Sequence, residues 1–403
     1  MTLAAFGGKK AVTITPSPCP VYNEEEKAAI KDALNAEIWG TLGPQAMTFA
    51  QEFAEYCGAE HSVSVNNGSV GLEIILKGLE IGYGDEVILP AYAFNSTLSA
   101  VAVAGAIPVF ADIDENFNID PNDVLNKINV KTKAVIAVHM GGYPADINML
   151  LSICKKRGIF VIEDGSYAAG SSLNNKKVGS LADAAVFDFY TDENISSGEG
   201  GSITTNNDRI FKKVWEQHNS GRTYDDSSEF GGTVMCGTNA RMAEFEAAIL
   251  RCQLKRLDSQ IQKRTESADK LCEYLKAFDF FTLRESNNNL NIINSYNLFI
   301  IRYNKALFHK VTRSKLVEIL QAEGVPVKAG NLPLYKNKML QTDYFKKSTG
   351  STIEYNNIKL EKTELLSEEA LYIPGHVLLT GLDYIEQIAA AFDKVSKNIQ
   401  HLI

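Results

Sequence analysis

HSVSVNN (61–67) runs directly into GSVGLEIILKGLE (68–80), DEVILP (85–90) into FNSTLSAVAVAG (94–105), PVFADID (108–114) into PNDVLNKI (121–128), KAVIAVHM (133–140) into INMLLSICKKRG (147–158), and IFVIED (159–164) closes the series. Short apolar runs rich in β-branched residues alternate with stretches of helical periodicity. That rhythm is βαβ and predicts a parallel sheet covered by helices on both faces. Ligands of such sheets bind beyond the carboxyl ends of the strands. The positions of interest are therefore Asn67-Gly68-Ser69, Ala91-Tyr92-Ala93-Phe94, His139-Met140-Gly141-Gly142 and Asp164-Gly165-Ser166-Tyr167.

Downstream, ARMAEFEAAILRCQLKRLDSQIQKRTESADKLCEYLKAF (240–278) has apolar residues at three- and four-residue spacing and no proline, which predicts a long helix bridging to a second unit. Strand-like NSYNLFIIRYN (294–304), helical SKLVEILQAEG (314–324) and amphipathic DYIEQIAAAFDKVSKN (383–398) follow. The expected organisation is a large α/β domain with an N-terminal segment over 1–255 and a small α+β domain over 256–403. The polar stretch SGRTYDDSSEFGGT (220–233) reads as a mobile loop.

The chain has 403 residues, 45% apolar and 22% charged, enough for a sizeable core. Forty Lys and Arg against 49 Asp and Glu, with no basic block, argue against a nucleic-acid partner. The start of the chain carries no charged and then apolar leader, and no run approaches a membrane span, so the expected setting is cytoplasmic. Cys19, Cys57, Cys154, Cys236, Cys252 and Cys272 lie far apart without a C-x-x-C pair, as reduced packing thiols rather than a disulfide frame or zinc site.

Three constellations carry chemistry. Gly68-Ser69 ends a strand and opens a helix, where free N–H groups and the helix dipole favour an anion; an ordinary turn with a serine cap accounts for it equally. Asp164 closes an apolar strand and suits either pairing with a cationic ring nitrogen or capping of the next turn. DENISSGEGGSITTNN (192–207) has three glycines around Glu199, which suits a close backbone approach or a hairpin.

In combination these pieces resemble the DegT/DnrJ/EryC1/StrS family of sugar aminotransferases, which are fold-type I enzymes dependent on pyridoxal phosphate (PLP). The resemblance is carried by LGPQAMTFAQEFAEYCGAEHSVSVNNGSVGLEIILKGLEIGYGDEVILPAYAF, GAIPVFADID, VHMGGYPADI, IEDGSYAAGSSLNNKKVGSLADAAVFDFY, SSGEGG and GTNARMAEFEAAILRCQLKRLD. AEIWGTLG and LPLYKNKML look closer to the aminocyclitol and amino-hydroxybenzoate branches. The resemblance implies the fold-type I architecture and a homodimer with shared sites. It also implies a keto-sugar or cyclitol substrate, in biosynthesis of a surface glycan or a secondary metabolite. Carried over by position, Gly68, Ser69 and Val70 would offer backbone donors to the cofactor phosphate, Asp164 would pair with the pyridinium nitrogen, and Phe94 would lie against the ring. Asn239 and Arg241 would reach into the neighbouring subunit's site.

Three positions depart from the family pattern. Where the family has the lysine that forms the Schiff base, this chain has Glu193; where it has a phosphate-binding serine, Asp188; and where glutamine is common, Tyr167. A carboxylate forms no imine, so PLP-lysine transamination is expected to fail. A phosphate beside Asp188 would be repelled by roughly 4 kcal/mol per unit charge at about 4 Å and an effective dielectric of about 20. Four readings follow. The chain uses pyridoxamine phosphate (PMP) with Glu193 as general acid/base; or it is a non-catalytic partner of an active paralogue; or it has turned Asp164, Asp188, Asp192, Glu193 and Glu199 into a PLP-independent carboxylate site. The fourth is a conventional aminotransferase captured as a lysine mutant. No transition-metal ligand set is expected, because imidazole is absent from the segment. Three further residues are candidates for the substrate: His218 and Arg222 in the polar loop, and Trp39 as a pocket wall. His139 is expected to shape the pocket floor.

Overall fold

The computed structural model describes residues 2–40, 42–224, 232–284, 291–307 and 311–398, so the middle half of the loop expected at 220–233 lies outside the described residues. The central sheet has seven strands: β1 (His61–Val65), β2 (Glu86–Pro90), β3 (Ile107–Ala111), β4 (Thr132–Val138), β5 (Phe160–Asp164), β6 (Ala184–Asp188) and β7 (Gly201–Thr205). Their order is β1-β7-β6-β5-β4-β2-β3; β7 is antiparallel to both its neighbours and the other pairs are parallel. The βαβ expectation is met. Near-continuous apolar strands such as AVIAV and FVI require cover on both faces. One face packs on α3 (Gly68–Gly78) and α4 (Asn95–Val103) through Leu72, Ile75, Leu98 and Val101. Below the other face, Val135 and Val161 meet Leu150 and Ile153 of the helix Ile147–Cys154.

Register sets the edge that matters. Val138 pairs with Asp164, Asp164 with Val186, and Asp188 with Gly201, while Val65 also pairs with Gly201. The ends of β1, β5 and β6 and the start of β7 thus converge, and Asp164 and Asp188 stand on one rim.

The predicted bridge is α8 (Glu244–Leu275), which begins at Glu244 because Ala243 is extended and the Glu246 side chain caps its N–H. Thirty-two residues at 1.5 Å each span about 48 Å. Its first half joins an aromatic core through Ala247, Leu250, Leu257 and Ile261, beside Phe49, Phe53, Phe187 and Phe189. Its last turns, with Ala268, Leu271 and Leu275, enter the core of a second, antiparallel sheet. That sheet comprises β8 (Phe281–Leu283), β9 (Leu298–Tyr303), β10 (Lys328–Ala329) and β11 (Ala370–Pro374), in the order β8-β9-β11-β10.

The two cores exchange chain across residue 255. Leu3 and Val12 pack in the second core, whereas Leu334, Tyr335, Leu340, Phe345, Tyr355 and Leu360 pack in the first. Glu323, fully buried, holds the N-terminal segment by accepting from the N–H groups of Ala4 (2.7 Å) and Ala11 (3.0 Å) and from Lys394 Nζ (2.8 Å). Among the described residues no helix is long and apolar enough to cross a membrane.

Removing one partner of a buried ion pair leaves the other charge uncompensated. Glu323→Ala is therefore expected to cost about 3–5 kcal/mol and to expose residues 2–12 to protease. Denaturant unfolding and limited proteolysis check both effects.

Candidate active site

The first wall is the turn from β1 into α3. Asn67 is the N-cap, its Oδ1 accepting from Val70 N–H at 2.9 Å. Gly68 N–H donates to Asp188 Oδ1 at 3.3 Å. A Cβ on Gly68 would stand 2.7 Å from Asp188 Cβ, so only glycine lets the turn lie against the end of β6. Two of the three backbone donors expected to be free for an anion are thus engaged within the chain.

The floor is Asp164. Its Oδ2 accepts from Thr97 Oγ1 (2.9 Å) on α4, and its Oδ1 from Ser166 Oγ (2.7 Å) and N–H (3.3 Å). The carboxylate is held in one orientation by neighbours on two elements. His139, fully buried, donates from Nε2 to Glu163 Oε2 at 3.0 Å and accepts from Ala145 N–H on Nδ1 at 2.9 Å. It braces the rim from beneath, as expected of a shaping residue.

Glu193 stands in the β6–β7 connection, half-buried, and Asn297 Nδ2 at the entry to β9 donates to its Oε2 at 2.9 Å and to Asp192 O at 3.1 Å. Burial first, then the charges of Asp188, Asp164 and Asp192, hold the Glu193 carboxyl well above the usual range. Burial pushes Asp188 up to about 6; the Gly68 N–H opposes this, and Asp164 and Glu199 add to it. Tyr167, packed against the cluster of Tyr92 and Tyr372, has its phenol pushed upward by burial and then by Glu193, Asp164, Tyr92 and Asp188. Behind it the hydroxyls of Tyr92 and Tyr372 share a short hydrogen bond. The charges acting most on Glu193 and Asp188 are all carboxylates. Such a cluster favours the protonated form of the Glu193 carboxyl relative to a free glutamate.

The remaining predicted residues gather elsewhere. Arg241 pairs through its backbone with Val65 at the end of β1, and its Nη1 donates to Asn219 Oδ1 at 3.0 Å. Asn239 is exposed and bridges to Asn219, and Arg222 is exposed and close enough to lower the Arg241 pKa after burial has done so. These three gather around Asn219, beside the end of β1. His218 is not in the polar loop: it ends the helix Asp208–His218, is 1% exposed, and donates from Nδ1 to Trp215 O at 2.6 Å. Burial drives its pKa down to about 4, with the Trp215 carbonyl opposing, so the ring is neutral and structural in this chain. Trp39 is exposed, donates to Leu34 O at 3.3 Å and lies 6.0 Å from the Phe245 ring; Phe94 is exposed at the N-cap of α4 and Ser69 lies in the first turn of α3. Sequence reasoning missed Thr97, Asn297 and the Tyr92–Tyr372 pair. Thr97 stands in the first turn of α4, shortly after the end of β2, whereas Asn297 is 104 residues from Glu193 and had no local signal.

The fold is that of fold-type I PLP aminotransferases. The DegT/DnrJ/EryC1/StrS aminotransferase family model matches residues 20–393, and the chain belongs to that family. It is 32% identical to GDP-perosamine synthase of Vibrio cholerae over 81% of this chain and 88% of that protein. It is 30% identical to 3-amino-5-hydroxybenzoate synthase of Amycolatopsis mediterranei over 90% and 92%. The crystal structure of an aminotransferase from Psychrobacter cryohalolentis superposes with a TM-score of 0.88 at 28% identity, covering 96% of this chain and all of that one.

Because the folded Asp188 pKa stands above that of a free aspartate, the folded chain keeps a proton that the unfolded chain has lost between about pH 4 and 6, and stability falls as pH rises through that window. The shift of about two units is worth up to about 3 kcal/mol. Asp188→Asn should therefore be more stable than the native chain at about pH 8, with the gap closing towards about pH 4; denaturant unfolding at both values measures it.

Proposed function

We infer that the protein serves the biosynthesis of an amino sugar, deoxysugar or aminocyclitol as a family member that has given up lysine-bound PLP transamination. The family and the named activities of its relatives support a keto-sugar or cyclitol ligand and a PLP-type ancestry. One observation carries the departure: at the centre of the rim stands the Glu193 carboxyl, held by Asn297 and surrounded by Asp188 and Asp164. Position 193 itself carries a carboxyl, which forms no imine, and the nearby cation, Lys328, is ion-paired to Asp192 at 3.8 Å. The residues present do not fit PLP or PMP in the family's manner, since Asp188 takes the Gly68 donor.

The arrangement suits a subunit that works through its partner. Asn239, Arg222 and Arg241, grouped around Asn219 with Asn239 and Arg222 exposed, are available to complete the site of a second copy or of an active paralogue. A second reading is favoured by the direction of the Glu193 pKa: a carboxyl that holds its proton more tightly than a free glutamate suits a general acid on a bound ligand.

The purified native protein, incubated with PLP, glutamate and a keto-sugar, is expected to transfer no amine, and borohydride reduction should trap no pyridoxyl group on the chain. Transfer or trapping by the native chain would sink the reading. Substituting Glu193→Lys together with Asp188→Ser is expected to make position 193 the trapped residue in peptide mass spectrometry.

A further inference from the structure

We propose that the anion seat at the start of α3 is filled by the chain's own Asp188, so that this pocket takes a ligand carrying no phosphate at that end. The proposal deepens the reading above and rests on it. The N-terminus of an 11-residue helix presents unpaired N–H groups and a partial positive charge, which together attract one anion. Here the Gly68 N–H already donates to Asp188 Oδ1, and the Val70 N–H to Asn67 Oδ1. The carboxylate supplies from within the chain what a phosphate would bring from outside.

Space and charge point the same way. An ideal Cβ on Gly68 would lie 2.7 Å from Asp188 Cβ, 3.1 Å from its Cα and 3.1 Å from its Cγ, so the end of β6 presses on the turn whichever way the side chain is rotated. Asp188 is fixed there by its ladder pairing with Gly201, which is itself closed against Asn67: a Cβ at Gly201 would stand 2.6 Å from Asn67 C. A phosphate at the same donors would face Asp188 at contact distance, with Asp164 and Glu193 beyond it. The hydrogen-bond partners of these three side chains are Gly68, Thr97, Ser166 and Asn297, none of which is cationic.

Equilibrium dialysis of the full chain near neutral pH, with PMP and with pyridoxamine as its phosphate-free counterpart, tests this directly. Asp188→Ser is expected to tighten PMP binding by at least about a hundredfold and to leave pyridoxamine binding unchanged. Asp188→Asn keeps the shape, removes the charge and serves if the serine variant fails to fold; it should tighten PMP binding by about tenfold. The proposal is overturned if the native chain binds PMP as tightly as the variants, or if PMP and pyridoxamine gain equally. Either result would leave the loss of the lysine untouched, because amine transfer and pyridoxyl trapping by the native chain are read separately.

Discussion

Carboxyl groups gathered at a partly desolvated sheet edge must share protons or find donors, and that constraint organises this protein's rim. Asp164 takes three donors from Thr97 and Ser166; Asp188 takes the first donor of α3; Glu193 takes Asn297. Each carboxyl is anchored by a different element, so their separation is built into the backbone rather than left to side-chain rotation. With like charges as the main electrostatic influence, Glu193 sits well above its ordinary pKa and Asp188 moderately so. A lysine at position 193 would have balanced this edge.

The setting that holds the rim is assembled from distant parts of the chain. Asn297 comes from the second sheet and Glu193 from the loop before β7, joined across 104 residues. The long α8 ties the aromatic core at one end to the second sheet at the other, and the N-terminal segment is clasped by Glu323 and Lys394 near the opposite end of the sequence. Interleaving of this kind makes the site sensitive to both cores: loosening either one frees a ligand of the rim.

The division of polar groups also bears on assembly. The residues that the family resemblance assigned across an interface, Asn239 and Arg241, cluster with Arg222 around Asn219. His218 stays inside, neutral and bonded to Trp215.

Much of the architecture was legible in the residues. Periods of two and of three to four, with turn residues between them, are local signals, so the βαβ series, the bridging helix and the strand-end positions of Gly68, Asp164 and Asp188 could be read directly. The departures at Tyr167, Asp188 and Glu193 were equally plain, because a change of residue type at a known spacing needs no coordinates. Three matters depended on long-range packing, and the tertiary structure alone decided them. Strand register brought the Asp188 carboxylate onto the Gly68 N–H, packing between the two sheets delivered Asn297 to Glu193, and burial beside Trp215 removed His218 from the polar loop to the core. A sequence records which groups are present and how far apart they lie along the chain. Distance through space, and with it desolvation and the sign of the local field, exists only once the sheet has closed its register.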